Sequence, residues 1–333
     1  MTLLLLYWAI MIIFYLIASK LRAYEDKFGF IGSALNVVIY VLVLIMGLRM
    51  GANEEVISSL GTIGVQAVFI TAFTVAGSML AVTAMRKILG LNRQGVPAGT
   101  DDVLNTGEEL ESDGDGDAEA EASDSSGTVK TTILILSFVA LGMLLGYFVI
   151  PRIFADTEVF QEMSGTWLVI GICVLLGFVG FTMGLEGTVV KSLKTAGINV
   201  FLIPMAAIAG SLIFGMLYGL ISPLSVREAA AVSAGFGWYT FAPGVIAEAG
   251  HDLAGAVSFM HNVIRETMGI IIIPVAAQKI GYLEAISIPG VAATDICMPI
   301  VKRSCRSETI IYSFCMGMIM NAAVPLLVPL LIG

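Results

Sequence analysis

The chain has 333 residues, of which 57% are hydrophobic and only 13% are charged, and its mean hydropathy is +0.93. Soluble domains carry about 25% charged residues, so this composition excludes a soluble globular protein and predicts one that crosses a membrane several times. The net charge of -9 is no guide to a binding partner, because eleven acidic residues within residues 95–129 account for the whole of this charge. We predict no binding to nucleic acid.

Eight apolar runs approach or exceed the roughly 20 residues that a membrane-spanning helix needs. We predict spans at residues 3–19, 32–50, 63–85, 131–150, 166–185, 197–220, 254–278 and 308–332. Together they predict an all-α polytopic membrane protein.

Two further apolar stretches, residues 229–247 and 285–300, are interrupted by glycine and proline. Non-helical backbone at membrane depth is tolerated only where protein or a water-filled cavity satisfies its polar groups. We therefore predict two broken or re-entrant segments beside a transport path. The alternative is a pair of ordinary glycine-rich helices, which would raise the number of spans to ten.

Lysine and arginine gather at alternate ends of the predicted spans, as they do in cytoplasmic loops. They follow the first, third, fifth and seventh spans and are Lys20, Arg22, Lys27, Arg86, Lys87, Arg93, Lys191, Lys194, Lys279, Lys302, Arg303 and Arg306. The opposite loops are acidic or mixed. This distribution predicts that both termini lie outside the cell.

The segment of residues 95–129 is rich in Gly, Ser, Asp and Glu and contains no basic residue. Such a composition cannot bury enough apolar surface to order the chain and predicts a disordered, cytoplasmic linker. It separates an N-terminal transmembrane group, residues 1–94, from a C-terminal group, residues 130–333.

The sequence predicts no metal site, no cofactor and no internal ATPase. The acidic run Asp113-Gly-Asp-Gly-Asp117 lacks the closing glutamate of a calcium loop, and no Walker-type glycine-rich loop is present. Paired spacing typical of disulfides or metal ligands is missing from the cysteines and histidines, which are Cys173, Cys297, Cys305, Cys315, His251 and His261.

An internal repeat recurs at one constant offset. The matching residues are Met50-Gly51 with Met183-Gly184, Leu60 with Leu193, Gly64 with Gly197, and Ala76-Gly77-Ser78 with Ala209-Gly210-Ser211. Because the copies begin three spans apart, they are predicted to have opposite orientations in the membrane, as in inverted-repeat secondary transporters. The alternative is that small residues recur because helices pack closely through them.

Polar and charged residues occupy the centre of the seventh span. A charge there costs about 2.5 to 3.5 kcal/mol by insertion scales, so it must face a partner or a cavity. Asn262 and Glu266 are four residues apart and share a helix face, so we predict that the amide orients the carboxylate. Glu266 is the candidate proton-coupling residue, and Asn262 and Arg265 are candidate substrate ligands; a structural ion pair is the alternative for Glu266.

The two broken segments supply the remaining candidate substrate ligands. Asp295 and Thr294 lie in the second segment, where half-helix ends would direct backbone dipoles at a ligand. Trp238 and Tyr239 lie in the first segment and could face a cation. The alternatives are a helix cap for Asp295 and membrane-interface anchoring for the two aromatic residues.

Three ordered motifs resemble those of the lysine exporter (LysO) family. They are Gly235-Phe-Gly-Trp-Tyr-Thr240, then Asn262-Val-Ile-Arg265-Glu266, then Gly290 followed by Asp295 and Pro299. The resemblance implies amino-acid export with L-lysine as substrate, acidic intramembrane working groups, and kinship with cation/proton antiporters and bile-acid-type symporters. Two departures remove hydroxyl groups: Ala292-Ala293 stands where the family often has Thr-Ser, and Thr240-Phe-Ala-Pro243 replaces Ser-Leu-Ser.

These features predict a secondary active exporter of L-lysine or a similar basic amino acid, in the cell membrane, working by proton antiport and not as an enzyme. Sodium-coupled transport of another small metabolite is the alternative within the same class. An intramembrane hydrolase that uses Glu266 with His261 is the alternative from another class.

The orientation can be tested with cysteines placed singly at Asp115 and Gly333 in a cysteine-free background. We expect an impermeant thiol reagent to label the C-terminal site in intact cells and to leave position 115 unlabelled until the cells are opened. Labelling of position 115 in intact cells would reverse the predicted topology.

Overall fold

The computed structural model describes residues 2–22, 27–28, 30–96, 117–154, 157–186, 198–294 and 296–333. The helices of this part of the chain are α1 (Thr2–Lys20), α2 (Phe30–Ala52), α3 (Glu54–Ser58), α4 (Leu60–Ile88), α5 (Asp117–Phe148), α6 (Ile150–Ile153), α7 (Thr157–Glu186), α8 (Asn199–Gly219), α9 (Val226–Ser233), α10 (Ala242–Glu248), α11 (Asp252–Lys279), α12 (Tyr282–Ser287), α13 (Met298–Ser304) and α14 (Ser307–Ile332). The described residues contain no β-strand, which confirms the all-α prediction.

Seven of these helices are long and apolar enough to cross a membrane: α2, α4, α5, α7, α8, α11 and α14. The first predicted span is the shorter apolar helix Leu5–Lys20 within α1. The described part of each of the eight predicted runs is therefore mostly helical, and the chain is a multi-pass membrane protein.

Helix α5 begins at Asp117, so residues 117–129 of the predicted disordered linker are helical in the structure. The physical reason is local: Asp117-Ala-Glu-Ala-Glu-Ala combines strong helix formers with acidic residues that suit a helix N-terminus. Residues 97–116 of the linker lie outside the described residues.

Both predicted broken segments are interrupted, so the interpretation of them as two ordinary helices is wrong. In the first, α9 ends before Phe236 and Gly237, whose φ angles of 45° and 99° cannot continue a right-handed helix. In the second, Gly290 has a φ of 66° and opens a 3-10 turn, Gly290–Ala293, between α12 and α13.

The repeat copies pack as an inverted pair. Helix α2 lies along α5, and α1 lies along α7. The glycines that make these contacts, with the residue that each one touches, are Gly47 (Val139), Gly51 (Met143), Gly180 (Met11) and Gly184 (Tyr15). In each pair, the contact four residues further along one helix is also four residues further along the other, so the two helices are parallel. Because α2 returns across the membrane after α1, and α1 is parallel to α7, α7 runs opposite to its repeat counterpart α2.

Helices α4 and α8 meet at repeat-related glycines. A Cβ atom on Gly77 would strike the carbonyl oxygen of Gly210, and a Cβ atom on Gly210 would strike that of Gly77. Gly77 and Gly210 are equivalent positions of the two repeat copies, so their contact lies on the pseudo-two-fold axis that relates the copies. Glycine at both positions lets the two backbones touch.

The helices form two groups. The four-helix layer consists of α1, α2, α5 and α7, and the crossing body consists of α4 with α8 to α14. The layer contacts the crossing body chiefly through the pairs α7 with α10, α1 with α14, and α2 with α11. Residues 187–197, which include Leu193 and Gly197 of the repeat, lie outside the described residues.

The axis contact predicts a large difference between two glycines of α4. Gly77→Ala should destabilise the protein by about 1 to 3 kcal/mol through overpacking, because the added methyl group meets backbone and Phe214. Gly64→Ala is the matched control, since its methyl group would have nothing within 4 Å. Thermal unfolding in detergent measures both; equal melting temperatures would contradict the close axis contact.

Candidate functional site

The two interrupted segments cross each other. The backbone N–H of Val291 donates to the carbonyl oxygen of Phe236 at 2.9 Å. A Cβ atom on Gly237 would lie 2.8 Å from Pro289 O, and one on Gly290 would strike Phe236 O. Both glycines also have positive φ, so the crossing requires glycine for backbone conformation and for space.

Phe236 carries the backbone strain of the first segment. A φ of 45° is unusual for a bulky residue, and its side chain is fully buried. The Arg265 guanidinium lies 5.8 Å from the centre of the Phe236 ring, within the range of a cation–π contact. Strained residues of this kind cluster at functional sites, where the surrounding structure holds them in place.

Asn262 on α11 satisfies the backbone of the first segment. Its Oδ1 accepts from the Gly237 N–H at 2.7 Å, and its Nδ2 donates to the carbonyl and hydroxyl oxygens of Ser258. The amide therefore binds the crossing and its own helix, and it does not orient the Glu266 carboxylate as its spacing predicted.

Arg265 satisfies the backbone of the second segment. Its Nε donates to Ile288 O at 3.0 Å and its Nη2 to Ser287 O at 3.4 Å. These carbonyls lie at the C-terminal end of α12, where the helix dipole favours a cation. The side chain is fully buried, and burial of a charge is tolerated when hydrogen bonds of this kind surround it.

Two repeat-related serines meet this cluster. Ser211 Oγ accepts from Arg265 Nη2 at 3.2 Å, and Ser78 Oγ donates to Ser287 O at 3.3 Å. Each serine directly follows an axis glycine, so the close packing of α4 on α8 places both hydroxyl groups beside the end of α12.

His261 lies one turn before Arg265 on α11 and is also fully buried. Its Nδ1 lies 2.8 Å from Thr71 Oγ1 on α4. The Thr71 hydroxyl in turn donates to Ala67 O at 2.6 Å. A chain of polar contacts therefore joins α11 to α4 near the middle of both spans.

The remaining candidate ligands occupy different surroundings. Glu266 is buried on α11, next to Arg265 in sequence. Thr294 donates to Val291 O at 3.3 Å and packs against Gly317 of α14. Asp295 lies outside the described residues, so its assignment to the site remains a prediction.

The two candidate aromatic ligands are engaged with neighbours in the first segment. Trp238 Nε1 donates to Thr240 Oγ1 at 2.9 Å, and its ring packs on Phe241. Tyr239 meets the ring of Phe259 edge to face. The arginine of the site lies over Phe236, so the cation–π contact described here involves neither Trp238 nor Tyr239.

Ion pairs lie at opposite ends of the spans. At the end where α2 finishes, Arg49 pairs with Asp252 at 3.2 Å and also donates to Ala247 O and Gln161 O. At the other end, Arg86 pairs with the fully buried Glu284 at 2.7 Å. The first pair joins the four-helix layer to the crossing body, whereas the second lies within the crossing body.

A polar cavity of about 490 Å³ opens beside the Arg49–Asp252 pair. Its lining includes the carboxylates of Glu162, Glu248 and Asp252. Because acidic residues outnumber the single arginine of this lining, the cavity favours a cation.

Sequence reasoning missed Arg49, Thr71, Ser78 and Ser211. Arg49 lies at the end of a span, where long basic side chains ordinarily reach the interface, yet it is buried. The repeated Ala-Gly-Ser motif contained the signal for the two serines, since it places a hydroxyl group beside each axis glycine.

Comparisons with known proteins agree with the geometry of a membrane transporter. The protein-family model described as "Lysine exporter LysO" matches residues 10–99 and 136–332. A putative lysine exporter of Haemophilus influenzae is 30% identical over 195 residues, which are 58% of this chain and 94% of that relative. The lysine exporter LysO of Escherichia coli is 24% identical over 157 residues, 47% of this chain and 52% of that relative, so the match spans about half of the E. coli protein. No solved structure matches the chain.

The role of Asn262 can be measured as stability. Asn262→Ala leaves the Gly237 N–H without its acceptor, and an unsatisfied buried donor costs about 1 to 3 kcal/mol. Thr267→Ala on the exposed side of α11 is the matched control, since the Thr267 hydroxyl donates to Val263 O of its own helix. Unfolding in detergent should show the loss for Asn262→Ala alone; an unchanged free energy of unfolding would remove Asn262 from the support of the crossing.

Proposed function

The chain belongs to the lysine exporter LysO family, and we propose that it exports L-lysine or a similar basic amino acid across the cell membrane in exchange for entering protons. The observation that carries the proposal is the crossing of two interrupted segments beside buried ionisable residues of α11. Substrate sites of secondary transporters lie at such broken helices, near the middle of the membrane.

At the crossing, backbone N–H and C=O groups lie outside regular helix in the middle of the membrane-spanning region. The interruptions leave backbone groups outside regular helix between α9 and α10 and between α12 and α13. Some of these groups are bound by Asn262 and Arg265.

Coupling is required by the charge of the substrate. Moving a net +1 amino acid outward against an inside-negative potential costs about 2.3 kcal/mol per 100 mV. Exchange for one entering proton cancels this charge movement. A carboxylate that cannot hold its proton while the substrate is bound is the simplest device that enforces the exchange.

Glu266 is the residue that we assign to this device, because it is a buried carboxylate at the middle of α11, one residue from the arginine that binds the crossing. We assign the side-chain ammonium of the substrate to Asp295 with Thr294. Trp238 and Tyr239 remain predicted substrate contacts at the end of the first segment.

Alternating access would then be a movement between the two helix groups. The crossing body carries the proposed site, and the four-helix layer is bound to it at one membrane face by the Arg49–Asp252 pair. Separation of this pair would open the cavity of about 490 Å³ toward the site. The predicted topology puts this face outside, where an exporter releases its substrate.

Glu266→Gln tests the coupling assignment. The variant keeps the size and hydrogen-bonding capacity of the side chain and removes its titration. In proteoliposomes with an imposed pH gradient, we expect uphill lysine movement and the associated proton flux to fall at least about tenfold, the loss expected for one charge-assisted interaction. Glu54→Gln on the exposed part of α3 is the matched control and should retain both fluxes.

The same vesicles separate the possible failures. Lysine movement that continues uphill in Glu266→Gln, with protons flowing the other way, would make Glu266 a structural residue. Lysine movement that follows a sodium gradient and ignores the pH gradient would replace proton antiport by sodium coupling.

A further inference from the structure

Among the residues that the structure describes, two fully buried side chains of α11 each have one polar atom without a hydrogen-bond partner. They are His261, at Nε2, and Arg265, at Nη1. Four residues separate them, so they lie on one face of the helix with Cβ atoms about 5 to 6 Å apart. An unsatisfied polar atom in a membrane interior costs several kcal/mol of free energy. Two such atoms at neighbouring positions indicate that a polar ligand binds beside them.

The geometry of Arg265 fixes what it can bind. Nε and Nη2 are held by Ile288 O, Ser287 O and Ser211 Oγ, and the Phe236 ring lies over the guanidinium. The plane of the group is therefore set before any ligand arrives. Its remaining donors, on Nη1, suit a carboxylate, which is the natural partner of a guanidinium.

His261 Nε2 is a hydrogen-bond acceptor, in contrast to the donors on Arg265 Nη1. The Thr71 hydroxyl has one proton, which it donates to Ala67 O at 2.6 Å. The contact of 2.8 Å between Thr71 Oγ1 and His261 Nδ1 then needs its proton from the imidazole. A neutral imidazole that donates from Nδ1 is an acceptor at Nε2, so Nε2 suits an ammonium group.

A donor and an acceptor one helical turn apart match the head of an amino acid, whose carboxylate and ammonium are attached to the same carbon. We infer that Arg265 Nη1 binds the α-carboxylate of the exported amino acid and that His261 Nε2 accepts from its α-ammonium. This inference rests on the proposed function and deepens it. The side-chain ammonium of lysine is left to the acidic residues, so the head and the tail of the substrate are recognised by different groups.

The first test uses the unmodified protein in proteoliposomes loaded with radiolabelled L-lysine. Efflux is driven by exchange for external L-lysine, for cadaverine, which lacks the α-carboxylate, or for 6-aminohexanoate, which lacks the α-ammonium. We expect L-lysine to drive exchange at a concentration at least about tenfold lower than either analogue, since each analogue loses one charged hydrogen-bonding group.

The outcomes separate the inference from the proposed function. If cadaverine or 6-aminohexanoate exchanges as well as L-lysine does, the assignment of the head group is overturned, and ordered water is left as the partner of the two atoms. If L-lysine drives no exchange, the proposed function fails and the inference fails with it.

His261→Asn supplies a second measurement. The asparagine amide can keep a donor near Thr71, in the place of Nδ1, and has no atom in the place of Nε2. We expect the preference for L-lysine over 6-aminohexanoate to fall from at least about tenfold to about twofold or less, while the preference over cadaverine persists. Thr267→Ala, on the exposed side of the same helix, should retain both preferences. A His261→Asn protein that keeps the original preference would show that His261 only supports the helix packing; if the variant does not fold, the analogue series on the unmodified protein decides.

Discussion

The whole arrangement depends on one constraint, which is that backbone groups released by an interrupted helix must find partners inside the membrane. Here two interruptions meet, and the Val291 N–H supplies a partner for Phe236 O. The neighbouring helix α11 supplies two further partners, through Asn262 to Gly237 and through Arg265 to Ile288. Since these bonds come from side chains of a single helix, α11 and the two crossing segments are joined into one unit, and the candidate site is held on that unit and not between loops.

The inverted repeat explains how this unit is supported. The axis glycines Gly77 and Gly210 bring α4 and α8 into backbone contact, and each is followed by a serine that reaches the end of α12 or the guanidinium of Arg265. Packing and polar support are therefore encoded by the same three-residue motif. In the four-helix layer, glycines let the helices approach as parallel pairs, so that the layer packs closely beside the crossing body.

Much of this fold could be predicted from the sequence, because span length, apolar composition and glycine or proline interruptions are local properties. The two broken segments and the repeat were predicted in this way. The partners of polar groups could not be, since they depend on distant residues: Arg49 had the position of an interfacial residue, but its partner Asp252 is 203 positions away. Asn262 had the right spacing to orient Glu266, yet its oxygen accepts from Gly237 in another segment. Periodicity shows which face a side chain occupies and does not show what lies opposite.

The axis contact also bears on how the two copies have diverged. At the axis a residue touches its own counterpart, so a change in one copy would alter the surroundings of the other, and both copies have glycine there. Away from it each copy has its own neighbours, and the residues of the two copies differ: the counterpart of Thr71 is Pro204, and that of Arg49 is Thr182. The first copy therefore gives a hydroxyl group to His261, whereas the second gives one to Arg265. Two identical copies would present the same groups from both sides to any molecule at the centre. The difference between the copies is what would let the site that we infer distinguish one end of its ligand from the other.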